Sequence, residues 1–248
     1  MPLLHLITGP PFAAPFWDAV ATRLTTHAGL RPSPVDVLGL PAPATVEAIA
    51  SSLGATWSAQ DVAVAHGTAV PVALAAAAAR PPAALILVNG PIGSPGPALG
   101  ALGTLGRVPG LVPGALLRPA VWTGWLASSA GLRRSVVNPY VMDRDTVVAL
   151  CAPGVSSAEV RQRTASLLVD IAVRGDTLPV PACPLGAVWG SGDRLYPPRL
   201  LDRLRARRPD LVHVDVPGGA HAHPVERPWF IADAIPPLLA RLLGQAPG

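Results

Sequence analysis

Short apolar runs alternate with longer amphipathic stretches along this chain, and each run ends at glycine, proline or asparagine. This alternation is typical of a parallel sheet with helices on both faces. We predict strands at residues 3–7, 35–38, 61–65, 84–88, 185–189 and 212–216. We predict helices at residues 16–26, 45–53, 68–79, 198–207 and 228–243.

Residues 91–179 interrupt this alternation, because they contain only helical pieces separated by glycine and proline, such as 116–126 and 157–171. A segment of this length is too long for a connecting loop. We therefore expect a single α/β domain with a mostly parallel sheet, formed by residues 1–90 and 180–248. Residues 91–179 are predicted to form a helical lid inserted between two of its strands.

Composition narrows the function classes. The chain has 248 residues, half of them apolar, and a net charge of +4. Its arginines are dispersed, and the densest group, at positions 203–208, lies on one predicted surface helix where solvated charge is the default. We therefore expect no nucleic-acid partner. No apolar stretch approaches the roughly 20 residues that cross a bilayer, so we expect a cytoplasmic protein without a membrane partner. Oligomeric state stays open.

The two cysteines, Cys151 and Cys183, have no metal-ligand spacing. We expect them to be buried or idle thiols, and we expect neither a metal nor a cofactor.

Residues 61–74, DVAVAHGTAVPVAL, form a strand, a tight turn and a helix start. This segment resembles the nucleophile elbow of the α/β-hydrolase family, which commonly reads G-H-S-x-G-G followed by V-A-L. In that register Gly67 occupies the position of the nucleophilic serine, with Ala65 and Ala69 as the small flanking residues. The resemblance implies an elbow that keeps its architecture without its serine, since glycine suits the strained backbone of this turn.

Two later segments resemble the family's acid and base loops, in the family's chain order. The sequence WGSGDRLYPP at 189–198 is similar to the loop that carries the acid, which places it at Asp193. The sequence GGAHAHPVERP at 218–228 is similar to the loop that carries the histidine, which places it at His221. The resemblance implies that these two residues survive as the catalytic pair.

The loop after the first strand, TGPPF at 8–12, stands where the family usually has H-G-x-x-G. The family's first oxyanion donor would then be the backbone of Pro10, which has no N–H. Only the Thr68 N–H remains from the usual pair, and losing one donor costs on the order of 3–4 kcal/mol in acyl transfer. We predict that Gly67, Thr68, Pro10 and Phe12 line the binding site.

Several candidate residues carry a structural alternative. The pair of His221 and Asp193 could be an inherited hydrogen bond, although a carboxylate that orients a histidine favours acid–base work. His66 is expected to support packing, and His223 and Glu226 to lie at the rim. Thr68 as a shifted nucleophile is disfavoured, because one residue along the helix start turns its side chain by about 100°.

Three functions remain open. The first is a cofactor-free enzyme that moves a proton with His221, in an epimerisation, isomerisation, elimination or cyclisation of a natural-product or modified-peptide intermediate. Relatives of the family that lack the serine do such chemistry. In lacking it, the chain is similar to one branch, the bottromycin-type peptide epimerases. The second is a noncatalytic protein that binds an apolar ligand or peptide, and the third is a hydrolase that uses water activated by His221.

Overall fold

The computed structural model describes residues 2–28, 30–174, 177 and 179–244. Six parallel strands form one sheet in the order β2-β1-β3-β4-β5-β6. The strands are β1 (Leu4–Thr8), β2 (Pro32–Asp36), β3 (Val62–His66), β4 (Ala84–Val88), β5 (Leu185–Gly190) and β6 (Val212–Val216). The predicted parallel α/β fold is confirmed, and five of its six strands lie within one residue of their predicted bounds.

Ten α-helices occur in the described residues. They are α1 (Asp18–Ala28), α2 (Val46–Thr56), α3 (Ala69–Ala79), α4 (Gly96–Leu105), α5 (Pro119–Leu126), α6 (Arg144–Cys151), α7 (Ala158–Arg174), α8 (Leu200–Arg207), α9 (His223–Glu226) and α10 (Pro228–Leu242). None of the helices in the described ranges combines the length and the apolar character needed to cross a membrane.

The core lies on both faces of the sheet. Leu6, Val64 and Ile86 belong to the cluster shared with α1 and α10. Their chain neighbours belong to the opposite cluster, where Ala65 and Leu87 pack with residues of α2 and α3. Because successive strand residues point to opposite faces, the continuous apolar runs of the sequence bury both faces at once.

The prediction for β2 is wrong in its bounds. The strand occupies Pro32–Asp36, and residues Val37–Gly39 form a 3₁₀ turn rather than the strand's end. Two prolines lie in this strand, which is tolerated because β2 is at the edge of the sheet and pairs only with β1. Nothing in the sequence indicates that this strand lies at the edge, so only the sheet order explains why its prolines are tolerated.

No strand occurs between β4 and β5 in the described residues, which contain α4 to α7 there. The last of these helices, α7, packs tightly on the sheet domain: Leu167, Leu168 and Ile171 are buried in the same cluster as α2 and α3. The Arg163 guanidinium donates to the carbonyl of Ala42 at 2.7 Å. This segment is therefore anchored at its C-terminal end.

The carboxyl ends of all six strands lie at the same edge, because all the strands are parallel. The chain passes from β1 to β2 on one side and then to β3 on the other, so the connections reverse direction between β1 and β3. Ligands of open α/β sheets bind in the crevice at this kind of point. The loops after β1 and β3, which carry Pro10 and Gly67, therefore flank the expected binding position.

Candidate functional site

Gly67 occupies a sharp turn between β3 and α3. Its φ is +57°, a conformation that favours glycine. Its N–H donates to the carbonyl oxygens of Val88 at 3.2 Å and Asn89 at 3.0 Å, which ties the turn to the end of β4. Gly90 allows this close approach, since a Cβ there would lie 2.7 Å from the Gly67 carbonyl oxygen and 2.4 Å from Val70. The turn has the strained strand-to-helix geometry of an elbow without a side chain at its tip.

Asp193 and His221 meet at this turn. Nδ1 of His221 lies 3.1 Å from Oδ2 of Asp193, and both side chains are almost fully buried. Because a carboxylate only accepts hydrogen bonds, Nδ1 is the donor, and in the neutral imidazole the lone pair is then on Nε2. A Cβ placed on Gly67 would lie 3.5 Å from that Nε2. The basic nitrogen of the pair therefore faces the space above Gly67.

Three further groups fix the Asp193 carboxylate. Oδ1 accepts the backbone N–H groups of Leu195 at 2.7 Å and Tyr196 at 2.9 Å, and Oδ2 also accepts Nδ2 of Asn89 at 2.5 Å. Burial would raise the pKa of Asp193, but the charge of His221 and these hydrogen bonds outweigh it and hold the pKa below its ordinary value. The carboxylate is therefore ionised and oriented.

Asn89 was not identified from the sequence. It is fully buried and has a φ of +40°, and its Oδ1 accepts the Gly190 N–H at 3.0 Å while its amide holds Asp193. Asparagine is one of the few residues with a side chain that adopts this conformation. In the sequence, Asn89 and Gly90 only mark the end of a strand. The order of the strands is what places Asn89 against the acid loop.

The loop after β1 offers acceptors rather than donors. Neither Pro10 nor Pro11 has an N–H, and the next one, that of Phe12, donates to the Gly9 carbonyl at 3.1 Å. The Thr68 hydroxyl donates to the Pro10 carbonyl at 2.5 Å. This hydrogen bond places the Thr68 hydroxyl against the β1 loop.

Aromatic rings enclose His221. Tyr196 meets it edge-on with ring centroids 5.2 Å apart, and Phe12 lies 6.4 Å away. The His66 ring packs 4.6 Å from His221 and 4.4 Å from Phe16. Nε2 of His66 donates to the His221 carbonyl at 2.9 Å, and burial together with the charge of His221 places the pKa of His66 well below its usual value. His66 is therefore a neutral support for the base loop, as its sequence position indicated.

His223 and Glu226 have structural contacts that differ from a simple rim position. His223 is fully buried, its Nδ1 donates to the Ala220 carbonyl at 2.8 Å, and burial is the largest cause that lowers its pKa to about 4. The Glu226 carboxylate accepts the N–H groups of Val137 at 2.9 Å and Asn138 at 2.6 Å. Glu226 therefore links the base loop to the segment between β4 and β5.

Two surface cavities, of about 150 and 480 Å³, do not have Gly67, Asp193 or His221 among their lining residues. Both cysteines are free and buried, and burial raises the pKa of Cys151 to about 12. Within the described part of the chain, no group of three or more histidine, cysteine or acidic side chains is placed to hold a metal ion.

This chain is similar to known proteins in its structure. No family model matches the chain, and no curated protein matches its sequence. An esterase from Thermogutta terrifontis superposes with a TM-score of 0.72 at 20% identity, covering 98% of this chain and 90% of the esterase. An epoxide hydrolase superposes with a TM-score of 0.73 at 16% identity, covering 98% and 92%. An α/β-hydrolase-fold protein from Burkholderia ambifaria gives 0.71 at 20% identity, covering 95% and 90%. The chain therefore has the α/β-hydrolase fold.

Proposed function

We propose that this protein is a cofactor-free, non-hydrolytic enzyme in which His221 is the base that removes a proton from a substrate carbon. The substrate carbon would approach Nε2 through the space above Gly67. The proton moves to Nε2, and the ionised Asp193 stabilises the imidazolium that forms. A proton delivered to the opposite face, by water or after the deprotonated intermediate turns over in the site, gives an epimer, and return of the proton to another atom gives an isomer. Loss of a leaving group from the carbanion gives elimination, and attack of the carbanion on an electrophilic atom of the same molecule, with loss of its leaving group, gives cyclisation.

The observation that carries this proposal is the completeness of the acid–base pair. Asp193 has hydrogen-bond donors from His221, Asn89, Leu195 and Tyr196. These bonds fix the tautomer of His221 that leaves Nε2 basic, and Nε2 faces an open position at Gly67. Asp193 and Asn89 are positioning residues, because they act through His221.

The elbow supports a reaction other than acyl transfer. Gly67 supplies no nucleophile, and Pro10 and Pro11 supply no N–H where an oxyanion would need one. We infer that the serine of a hydrolytic ancestor has been replaced, and that a natural-product or modified-peptide intermediate is the substrate class. The rings of Tyr196 and Phe12 beside His221 support the choice, because an apolar wall can hold an apolar part of the substrate next to the base.

One observation favours a second candidate, direct hydrolysis by water. Apart from its chain neighbours, only His221 atoms lie within 4 Å of a Cβ built on Gly67, so the position leaves room where a water could contact Nε2. This reaction also uses His221, but it requires a water as nucleophile and an electrophilic carbonyl or phosphoryl group as substrate.

A nitrobenzisoxazole probe separates these candidates. A base removes its ring C–H proton, the N–O bond breaks, and a coloured cyanophenolate is released, with neither a nucleophile nor an oxyanion donor needed. We expect wild-type protein to accelerate this ring opening. We expect it to hydrolyse p-nitrophenyl acetate no faster than a His221→Gln variant does. His27→Gln, an exposed histidine on α1, is the matched control.

The outcomes are distinct. Ester turnover that depends on His221, without ring opening, would replace the proposal with the hydrolase. If histidine NMR shows that Nε2 of His221 binds a proton readily, yet the protein catalyses neither reaction, the noncatalytic binding protein is favoured.

A further inference from the structure

We infer that the cavity of about 480 Å³ beside the acid–base pair binds an anionic group of the substrate, a carboxylate or a phosphate. This inference rests on the proposed function for its meaning, but the binding it describes is measurable without turnover.

The position of the cavity connects it to the site. Gly192 and Arg194, which line it, flank Asp193 in the chain, and Ala220, also in its lining, precedes His221. Its opposite wall is formed by residues 133–139 of the segment between β4 and β5. The cavity therefore lies where both loops of the acid–base pair meet that segment.

Its charge has one sign. Arg133, Arg134 and Arg194 line the cavity, and no acidic side chain is among its lining residues. Arg133 donates to the Pro139 carbonyl at 3.4 Å and faces the charge of Asp143. Within the described ranges, the side chains of Arg134 and Arg194 have neither a hydrogen-bond nor an ion-pair partner. Two arginines from distant parts of the chain thus line one cavity, and the donors of both side chains are unused.

The arginine-bearing segment is held firmly against the base loop. The Ala222 N–H donates to the Ser135 carbonyl at 2.7 Å, one residue from Arg134. Glu226 accepts the N–H groups of Val137 and Asn138 on the other side. Its carboxylate is engaged by these backbone donors and is absent from the cavity lining. The position of Arg134 relative to His221 is therefore built by main-chain contacts.

Guanidinium groups match planar oxyanions, since paired N–H donors bind two oxygens of a carboxylate or phosphate at once. The volume of the cavity lies in the range of small-molecule sites. An anion held here would lie beside the loops of Asp193 and His221, so it would orient a substrate whose carbon acid reaches Nε2.

Titration calorimetry on the full chain tests this inference with benzoate, phenyl phosphate and the neutral benzamide. We expect at least one of the two anions to bind about tenfold more tightly than benzamide, and added salt to weaken it. The double variant Arg134→Gln/Arg194→Gln should weaken anion binding by about tenfold or more. Arg31→Gln, an exposed arginine at the start of β2, is the matched control and should bind as wild type does.

Binding of benzoate alone would assign a carboxylate, and preferential binding of phenyl phosphate would assign a phosphate. The inference is overturned if neither anion binds wild-type protein, if benzamide binds as tightly, or if the double variant binds the anions unchanged. Arginine-dependent anion binding without ring opening of the neutral probe would contradict the proposed function and support the anion site. Ring opening without anion binding would support the proposed function and contradict the anion site.

Discussion

The two halves of this site differ in how completely they are built. On the acid–base half, four donors from three different loops hold Asp193. On the elbow half, Gly67 has no side chain, the β1 loop has two prolines where a donor is needed, and the Thr68 hydroxyl is engaged by Pro10. Proton transfer needs only the first half, whereas acyl transfer needs both.

The two halves differ in the number of residues on which each depends. The acid–base half depends on the order of β4, β5 and β6, so several groups from separate loops must agree. On the elbow half, single residues set the chemistry, because glycine has no side chain and proline has no N–H. The backbone turn still has the shape of an elbow, as the φ of Gly67 shows.

The largest effect should come from removing the base. We predict that His221→Gln lowers the rate of nitrobenzisoxazole ring opening by roughly 10²- to 10⁴-fold, because the positioned general base is lost. Absorbance of the phenolate measures the rate, and circular dichroism checks the fold. An equal loss in His27→Gln would show that the effect is not specific to the site.

Rebuilding the elbow half tests the contrast from the other direction. We predict that Gly67→Ser folds, at a cost of roughly 1–2 kcal/mol for a side chain at positive φ, and gives at most weak esterase activity. Adding Pro10→Ala restores an N–H and should raise ester turnover by roughly 10²- to 10³-fold.

Turnover of p-nitrophenyl acetate and labelling by a fluorophosphonate report on the new serine. Gly67→Ser with Pro11→Ala is the matched control, since its N–H lies one residue further along the loop. Efficient esterase activity from Gly67→Ser alone would contradict the assignment of Pro10 as the missing donor.

Burial of His223 in the acid–base half should make the free energy of unfolding depend on pH. The pKa of His223 is about 4 when folded, below its ordinary value of about 6.5, so the unfolded chain binds more protons between these values. Its contribution is complete above pH 6.5 and is lost as the pH falls towards 4. We predict that His223 accounts for a loss of about 2 kcal/mol in unfolding free energy between pH 7 and pH 5.

Urea unfolding at both pH values measures this loss. His223→Asn, which keeps a donor near the Ala220 carbonyl, should reduce the pH dependence by that amount, while His27→Gln leaves it unchanged. An unaltered pH dependence in His223→Asn would mean that His223 is charged when folded.

The smallest effect concerns the segment that covers the site. Glu226→Gln weakens the bonds to the Val137 and Asn138 N–H groups by about 1 kcal/mol, so hydrogen exchange at residues 136–138 should quicken by roughly fivefold. Glu159→Gln, an exposed glutamate on α7, is the control. If the segment is a lid, its exchange should also exceed that of the sheet strands. Exchange unchanged in Glu226→Gln would show that this carboxylate does not hold the segment.

Local patterning in the sequence predicted five of the six strands and most of the helices, and the resemblance to α/β-hydrolase motifs identified Gly67, Asp193 and His221. Apolar runs with glycine at their ends identify buried parallel strands wherever they occur, and the three site residues follow such ends. The resemblance also assigned Pro10 to the oxyanion loop, and its missing N–H is a property of the residue itself.

Tertiary structure alone decided three features. The bounds of β2 depend on its place at the sheet edge, where prolines are tolerated. Asn89 became a positioning residue because β4 lies next to β5, which brings its amide to Asp193 across 104 residues of chain. The arginine cavity joins positions 134 and 194 across a chain separation that no local pattern records. Hydrogen bonds and charges act over a few ångströms of space, whereas sequence patterns report only on neighbours along the chain, so contacts between loops were settled by folding alone.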